Sequence, residues 1–158
     1  MLLDVNAINK VAPYKVAIED GDKTAILFST DNGNIYTTTF VEDKGLLDGL
    51  SAYHFSFYCS SNNATYDKSV SVTLWCIIDN FLTRNTTAII YITDDTDNRG
   101  TARSRLFERW YNTSGIYAER YILKTIQQRA GILISRNNPL LSQYITMIEN
   151  IEALLQKQ

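Results

Sequence analysis

The sequence predicts one α+β domain, a mainly antiparallel mixed sheet of about six to seven strands flanked by three helices. Three observations lead there. Runs of β-branched and aromatic residues alternate with turn signals through the first sixty positions. Two amphipathic helical stretches bracket one β-branched run, Ala88-Ile89-Ile90-Tyr91-Ile92, in the middle of the chain. Two further strand-like runs then precede a last helical stripe. The element order is βββ-β-α-β-α-ββ-α over residues 1–158, a length that suits one domain with a core of its own.

In chain order, Tyr14 to Glu19 alternates weakly and predicts a strand with Pro13 at its edge. Thr24 to Ser29 and Ile35 to Val41 are predicted strands around Asp31-Asn32-Gly33-Asn34, where the Asn-Gly pair supplies the positive φ of a tight hairpin. Glu42 to Leu50 holds two glycines and reads as a loop. Tyr53, Phe55 and Phe57 alternate with His54, Ser56 and Tyr58, so Tyr53 to Cys59 is a strand. Asp67 suits the cap of a helix running to about Arg84, whose apolar face carries Val70, Leu74, Trp75, Ile77, Ile78, Phe81 and Leu82.

The strand at Ala88 stops in an acidic loop, and a helix starts at Gly100 and ends near Gly115. Ile116 to Ile126 and Gly131 to Ser135 are two more strands. Asn138-Pro139 opens a C-terminal helix over 138–157, proline being suited to a first turn. Leu141, Tyr144, Ile145, Ile148, Ile151 and Leu155 form its buried stripe.

Within the central helix, Ala102, Leu106, Phe107 and Trp110 share a stripe, and Arg103 points into it. A cation among apolar neighbours needs a negative partner. Arg99 and Arg103 share a face at i, i+4 beside the free N–H groups of a helix start, which suits a phosphate or carboxylate. The commoner arrangement is an internal tie from Arg103 to Asp94, Asp95 or Asp97. Those three aspartates offer too few oxygens, at the wrong spacing, for a divalent metal, so no metal site is expected.

Hydrophobic residues make up 45% of the chain and charged residues 20%, the balance of an ordinary soluble protein. The net charge of −2 gives no broad basic surface for nucleic acid. Arg105 and Arg109, with Glu108 between them, read as a solvated face of the same helix. No run approaches a membrane span and the start lacks a signal-peptide pattern, so a cytoplasmic protein with two free thiols, Cys59 and Cys76, is expected. His54 is the single histidine, and a strand would put Cys59 on its opposite face, against a Cys–His pair.

Two resemblances arise from these residues. Asp97-Asn98-Arg99, Ala102-Arg103-Ser104-Arg105-Leu106-Phe107, Trp110-Tyr111 and Asn137-Asn138-Pro139 resemble an uncharacterised family of small bacterial proteins, one that brings no known activity. More distantly, the order of elements over residues 12–136 is similar to the GNAT-type N-acetyltransferases. There, an aromatic strand leads into a long helix, a strand, a short helix and a final hairpin. Leu106-Phe107-Glu108-Arg109 resembles the leucine-tyrosine-glutamate-lysine often found in their short helix.

That second resemblance implies acetyl-CoA as cofactor and a tyrosine as acid, and the chain departs from both. Ser60-Ser61-Asn62-Asn63-Ala64-Thr65-Tyr66-Asp67 has no glycine where phosphates would meet backbone N–H groups, and Phe107 stands where the tyrosine would be. Tyr111 is the nearby hydroxyl left to act as an acid. The expectation is a non-catalytic protein that binds a protein partner or a small anionic ligand without a cofactor. The alternative is an acyl-CoA-dependent N-acyltransferase with an atypical cofactor loop. The residues specify no oligomeric state.

Overall fold

The computed structural model describes residues 2–60, 67–94, 100–124 and 128–157, with the backbone alone described at 23, 93–94, 100–104 and 128. Among these, eleven elements follow in the order α1 (Val5–Val11), β1 (Val16–Glu19), β2 (Asp22–Ser29), β3 (Ile35–Glu42), β4 (Ala52–Cys59), α2 (Lys68–Arg84), β5 (Ala88–Asp94), α3 (Gly100–Ser114), β6 (Ala118–Lys124), β7 (Gln128–Ser135) and α4 (Leu141–Gln156). The seven strands form a mixed sheet in the order β1-β2-β3-β4-β5-β7-β6. Pairs β1–β2, β2–β3, β5–β7 and β6–β7 are antiparallel, and β4–β5 is parallel. The chain is α+β, as its patterning predicts.

Three details depart from the expected elements, the first being that β7 starts at Gln128 rather than Gly131. Among the described residues there are four helices rather than three. The extra one, α1, is only seven residues long and buries Ile8 alone, too short for a 3.6-residue period to show. Asp4 caps it by accepting the Ala7 N–H at 3.1 Å. The last helix starts at Leu141, after Pro139 instead of around it. Buried Asn138 explains this: its Oδ1 accepts the Leu140 N–H at 2.8 Å, closing a turn ahead of the helix.

Contacts group the chain into two compact units, Met1–Val41 with Phe55–Asn85, and Glu42–His54 with Thr86–Gln158. In the first unit, β2 and β3 register from Ala25↔Thr39 to Ser29↔Ile35. Their turn holds Gly33 at φ 81°, the left-handed conformation that glycine adopts without strain. Helix α2 buries Val70, Leu74, Trp75, Ile77, Ile78, Phe81 and Leu82. Phe81 stacks on Phe40 at 4.1 Å between ring centroids. Asn9 exchanges two bonds with the Val16 backbone and so fixes α1 against β1.

In the second unit, β5 registers with β7 along its whole length, Ala88↔Ile134 to Asp94↔Gln128. One face of these strands presents Ala88, Ile90, Ile132 and Ile134, which pack with Leu47, Ala52 and Leu123 and with Tyr144 and Ile148 of α4. Tyr144 spends its hydroxyl on the Ser51 carbonyl at 2.6 Å, so this deeply packed phenol keeps a partner. The opposite face carries Ile89, Tyr91 and Leu133, all buried, and packs against α3, which buries Phe107 and Trp110.

Tyr91 and Gly131 are Cα partners across β5 and β7, and the Tyr91 ring lies where a Cβ at position 131 would be. No rotation of a terminal atom relieves such an overlap, because the obstacle is a ring already stacked on Phe107 at 3.9 Å. Gly131→Ala is therefore expected to destabilise the protein by about 1–3 kcal/mol in urea unfolding, an overpacking cost. In a Tyr91→Ala background the same change is expected to cost far less. Equal costs in both backgrounds would place the strain elsewhere.

Candidate functional site

The second unit carries a cation on the face that packs against α3. Alternation along β6 puts Ala118, Arg120 and Ile122 on one side of the strand and Glu119, Tyr121 and Leu123 on the other. Arg120 opposes Leu133 of β7, while Ile122 opposes Gly131. Because Gly131 has no side chain, the space between β5 and β6 on this face stays open, and Tyr91 and Arg120 meet across it.

Arg120 Nε donates to the Tyr91 hydroxyl at 2.8 Å. Its guanidinium carbon lies 5.6 Å from the centroid of the Tyr111 ring, an attractive cation–π arrangement. Nη1 reaches Glu108 Oε1 only at 3.5 Å, the outer limit of a hydrogen bond. The Arg120 side chain is 12% exposed, whereas Glu108 is 52% exposed. A guanidinium so recessed loses most of its hydration, and a half-solvated carboxylate at that distance returns little. Among the described residues no acceptor meets Nη2.

Tyr91 completes the cluster. Its ring stacks on Phe107 and it is 5% exposed. Burial raises its pKa and the bond from Arg120 opposes that rise without cancelling it, so the phenol keeps its proton at ordinary pH. The hydroxyl accepts from Arg120, and among the described residues nothing takes its own proton. Two sets of unspent donors, on Tyr91 and on the guanidinium, thus sit behind Glu108.

The residues singled out from sequence fall differently. Tyr111 donates its hydroxyl to the Ala118 carbonyl at 2.8 Å and lends its ring to Arg120. Arg99, Asp95 and Asp97 lie outside the described residues. Arg103 sits in α3 and Asp94 ends β5 opposite Gln128, and their side chains lie outside the description as well. Arg105, Glu108 and Arg109 are exposed, the outer face that the periodicity predicts. Sequence reasoning passed over Arg120. Its signal was a lone cation on the inward side of a β6 alternation, together with Gly131 in the middle of a strand.

Two further polar pairs stand apart from this cluster. In the first unit Asp67 caps α2 by accepting the Ser69 N–H at 2.8 Å, as expected, and also accepts the Tyr14 hydroxyl. The Tyr14 bond, then the Ser69 N–H, holds its carboxyl below the usual value. The remainder of the Ser60–Asp67 loop, residues 61–66, lies outside the description. In the second unit His54 Nε2 meets Asp43 Oδ1 at 2.7 Å. Asp43 also accepts the Leu46 and Gly45 N–H groups at 2.9 and 3.3 Å. Among the described residues no group of three His, Cys, Asp or Glu side chains could hold a metal, and no helix is long and apolar enough to cross a membrane.

A family model matches residues 66–150, more than half of the chain. The chain belongs to DUF6169, a family of unknown function. The DUF6169 match contains Tyr91, Glu108, Tyr111, Arg120 and Gly131, so the whole cluster lies inside the family segment, while Asp43 and His54 lie before it. Searches of the curated proteins and of the solved structures return no match.

The Asp43 pair yields a pH dependence. Burial acts to raise the Asp43 carboxyl, but the bonds from His54, Leu46 and Gly45 outweigh it and hold the carboxyl below its ordinary 3.8. A lowered folded-state value stabilises fully above the unfolded value, and that contribution is lost as pH falls through the folded one. Urea midpoints for Asp43→Asn should therefore drop less steeply than wild type below about pH 4. Parallel acid limbs for the two proteins would contradict this.

Proposed function

We propose that this chain is a non-catalytic binding protein of the bacterial cytoplasm that takes a small anionic ligand at Arg120. The observation that carries the reading is the recessed guanidinium, 12% exposed and, among the described residues, offered no carboxylate but the half-exposed one of Glu108 at 3.5 Å. Buried cations are ordinarily paired with full hydrogen bonding, and one left with unspent donors favours an anion arriving from outside. A small ligand suits the recess better than a flat protein partner does. Tyr91 supports the same reading, since a neutral phenol beside a guanidinium is a donor pair suited to one anionic group.

The cytoplasmic assignment is supported by Cys59 and Cys76, both free thiols. The bacterial assignment follows the resemblance carried by residues 97–111 and 137–139. The reading needs no cofactor and no metal. Arg99 and Arg103 remain candidates from sequence for the same class of ligand.

One observation favours the N-acyltransferase alternative: aromatic β4, long α2, β5, α3 and the β6–β7 hairpin follow in the superfamily's order. Asp67 argues the other way. It caps α2 with a carboxylate engaged by Tyr14 and Ser69, where the pyrophosphate of acetyl-CoA would need free N–H groups and no negative charge.

Thermal unfolding separates the two readings, because a ligand that binds only the native state adds about 2.7 kcal/mol at a hundred times its Kd. Acetate, benzoate and phosphate are each to be compared with acetyl-CoA and CoA at matched ionic strength. At least one simple anion is expected to raise Tm in the wild type and to leave Arg120→Met unmoved, while CoA and acetyl-CoA move neither. A CoA-dependent rise would favour the acyltransferase. A rise with simple anions that persists without Arg120 would remove the proposed site.

A further inference from the structure

Resting on the anion-site reading, we infer that the ligand group is a carboxylate, and that Glu108 occupies its place in the unliganded chain and swings out when it binds. One edge of the guanidinium remains open. Nε is spent on Tyr91 at 2.8 Å, which leaves the end-on edge formed by Nη1 and Nη2. Two parallel N–H groups on that edge match the two oxygens of a carboxylate, the bidentate pairing in which arginine is strongest.

The chain itself shows which group fits. Glu108 of α3 already presents a carboxylate oxygen to Nη1. It does so at 3.5 Å and through one oxygen, with a side chain 52% exposed. Glu108 is tethered to α3, and its contact is long and one-sided. A free carboxylate has no such tether. It could take both Nη groups and leave Glu108 to water at little cost, since Glu108 is already half-solvated.

The walls agree with this choice. The Tyr111 ring lies under the guanidinium and Phe107 backs Tyr91, so the planes around the open edge are aromatic. Planar walls suit a planar monoanion. A tetrahedral phosphate carries more charge and a third oxygen to satisfy. A carboxylate borne on an apolar or aromatic body, such as a benzoate, fits both the fork and the walls.

The test uses the full chain labelled with 15N and follows the Nε–H resonance of Arg120, assigned by its loss in Arg120→Lys. Sodium benzoate and inorganic phosphate are titrated separately at constant ionic strength into wild type, Glu108→Gln, Arg120→Lys and Tyr91→Phe. Backbone spectra report whether each variant is folded. Benzoate is expected to move the Arg120 resonance to saturation, and Glu108→Gln to tighten it about two- to fivefold, the worth of releasing an exposed ion pair. Arg120→Lys, which keeps the charge and loses the fork, is expected to weaken benzoate about tenfold as followed on neighbouring backbone amides.

Phosphate saturating at lower concentration than benzoate would overturn the carboxylate assignment and leave the anion site standing. Benzoate affinity unchanged or weakened in Glu108→Gln would overturn the role of Glu108. A resonance unmoved by either anion would remove the anion site itself.

Discussion

A guanidinium bonded to a phenol across a glycine sets the geometry of the second unit. Gly131 leaves room on its face of the sheet, Tyr91 fills that room from β5, and Arg120 reaches the Tyr91 hydroxyl from β6. The three residues stand on three adjacent strands, so their relative positions are fixed by sheet register. Helix α3 then lays Phe107 on Tyr91, Tyr111 under Arg120 and Glu108 at the solvent side. A charge here is costly, and the strands hold it where only part of that cost is met. Such an arrangement adds less stability than apolar side chains of similar size would, and the proposed anion site rests on it.

Stability comes from elsewhere in the same unit. The opposite face of β5 and β7 buries Ile90, Ile132 and Ile134 with Tyr144 and Ile148, and each large apolar side chain so buried contributes about 1.5–3 kcal/mol before chain entropy is counted. The ion pairs of this unit are too exposed to compete with that. Glu108 to Arg120 and Glu119 to Arg136 each have a partner with at least a third of its side chain in water. Both faces of these strands are packed, and the one against α3 carries Tyr91 and Arg120 beside its apolar side chains.

Much of the fold was legible because its signals are local. Asn32-Gly33 marked the first hairpin, the aromatic alternation marked β4, and the apolar stripes marked α2 and α4, although of the α4 stripe only Tyr144 and Ile148 are fully buried. Helix α1 escaped because seven residues hold barely two turns, and its stability rests on Asn9 and Val16 and on packing. The start of α4 was displaced because proline alone marks a turn as readily as a first helical position, and the deciding Asn138 bonds are not visible in composition.

The candidate site was legible in principle but not in its address. The physical premise, a cation among apolar residues that must be answered, pointed to Arg103 because a helical stripe can be drawn from the sequence alone. Arg120 meets the same premise, but its significance depends on strand register: only the β5–β7–β6 pairing brings Tyr91, Gly131 and Arg120 together. Pairing between distant strands is the information that a linear pattern does not hold.

The most direct measurement is a double-mutant cycle on Tyr91→Phe and Arg120→Met, read as unfolding free energy in urea. A hydrogen bond between a recessed guanidinium and a buried phenol should appear as a coupling of about 1.5–3 kcal/mol. Additivity to within about 0.5 kcal/mol would show that the two side chains are independent and would contradict the account.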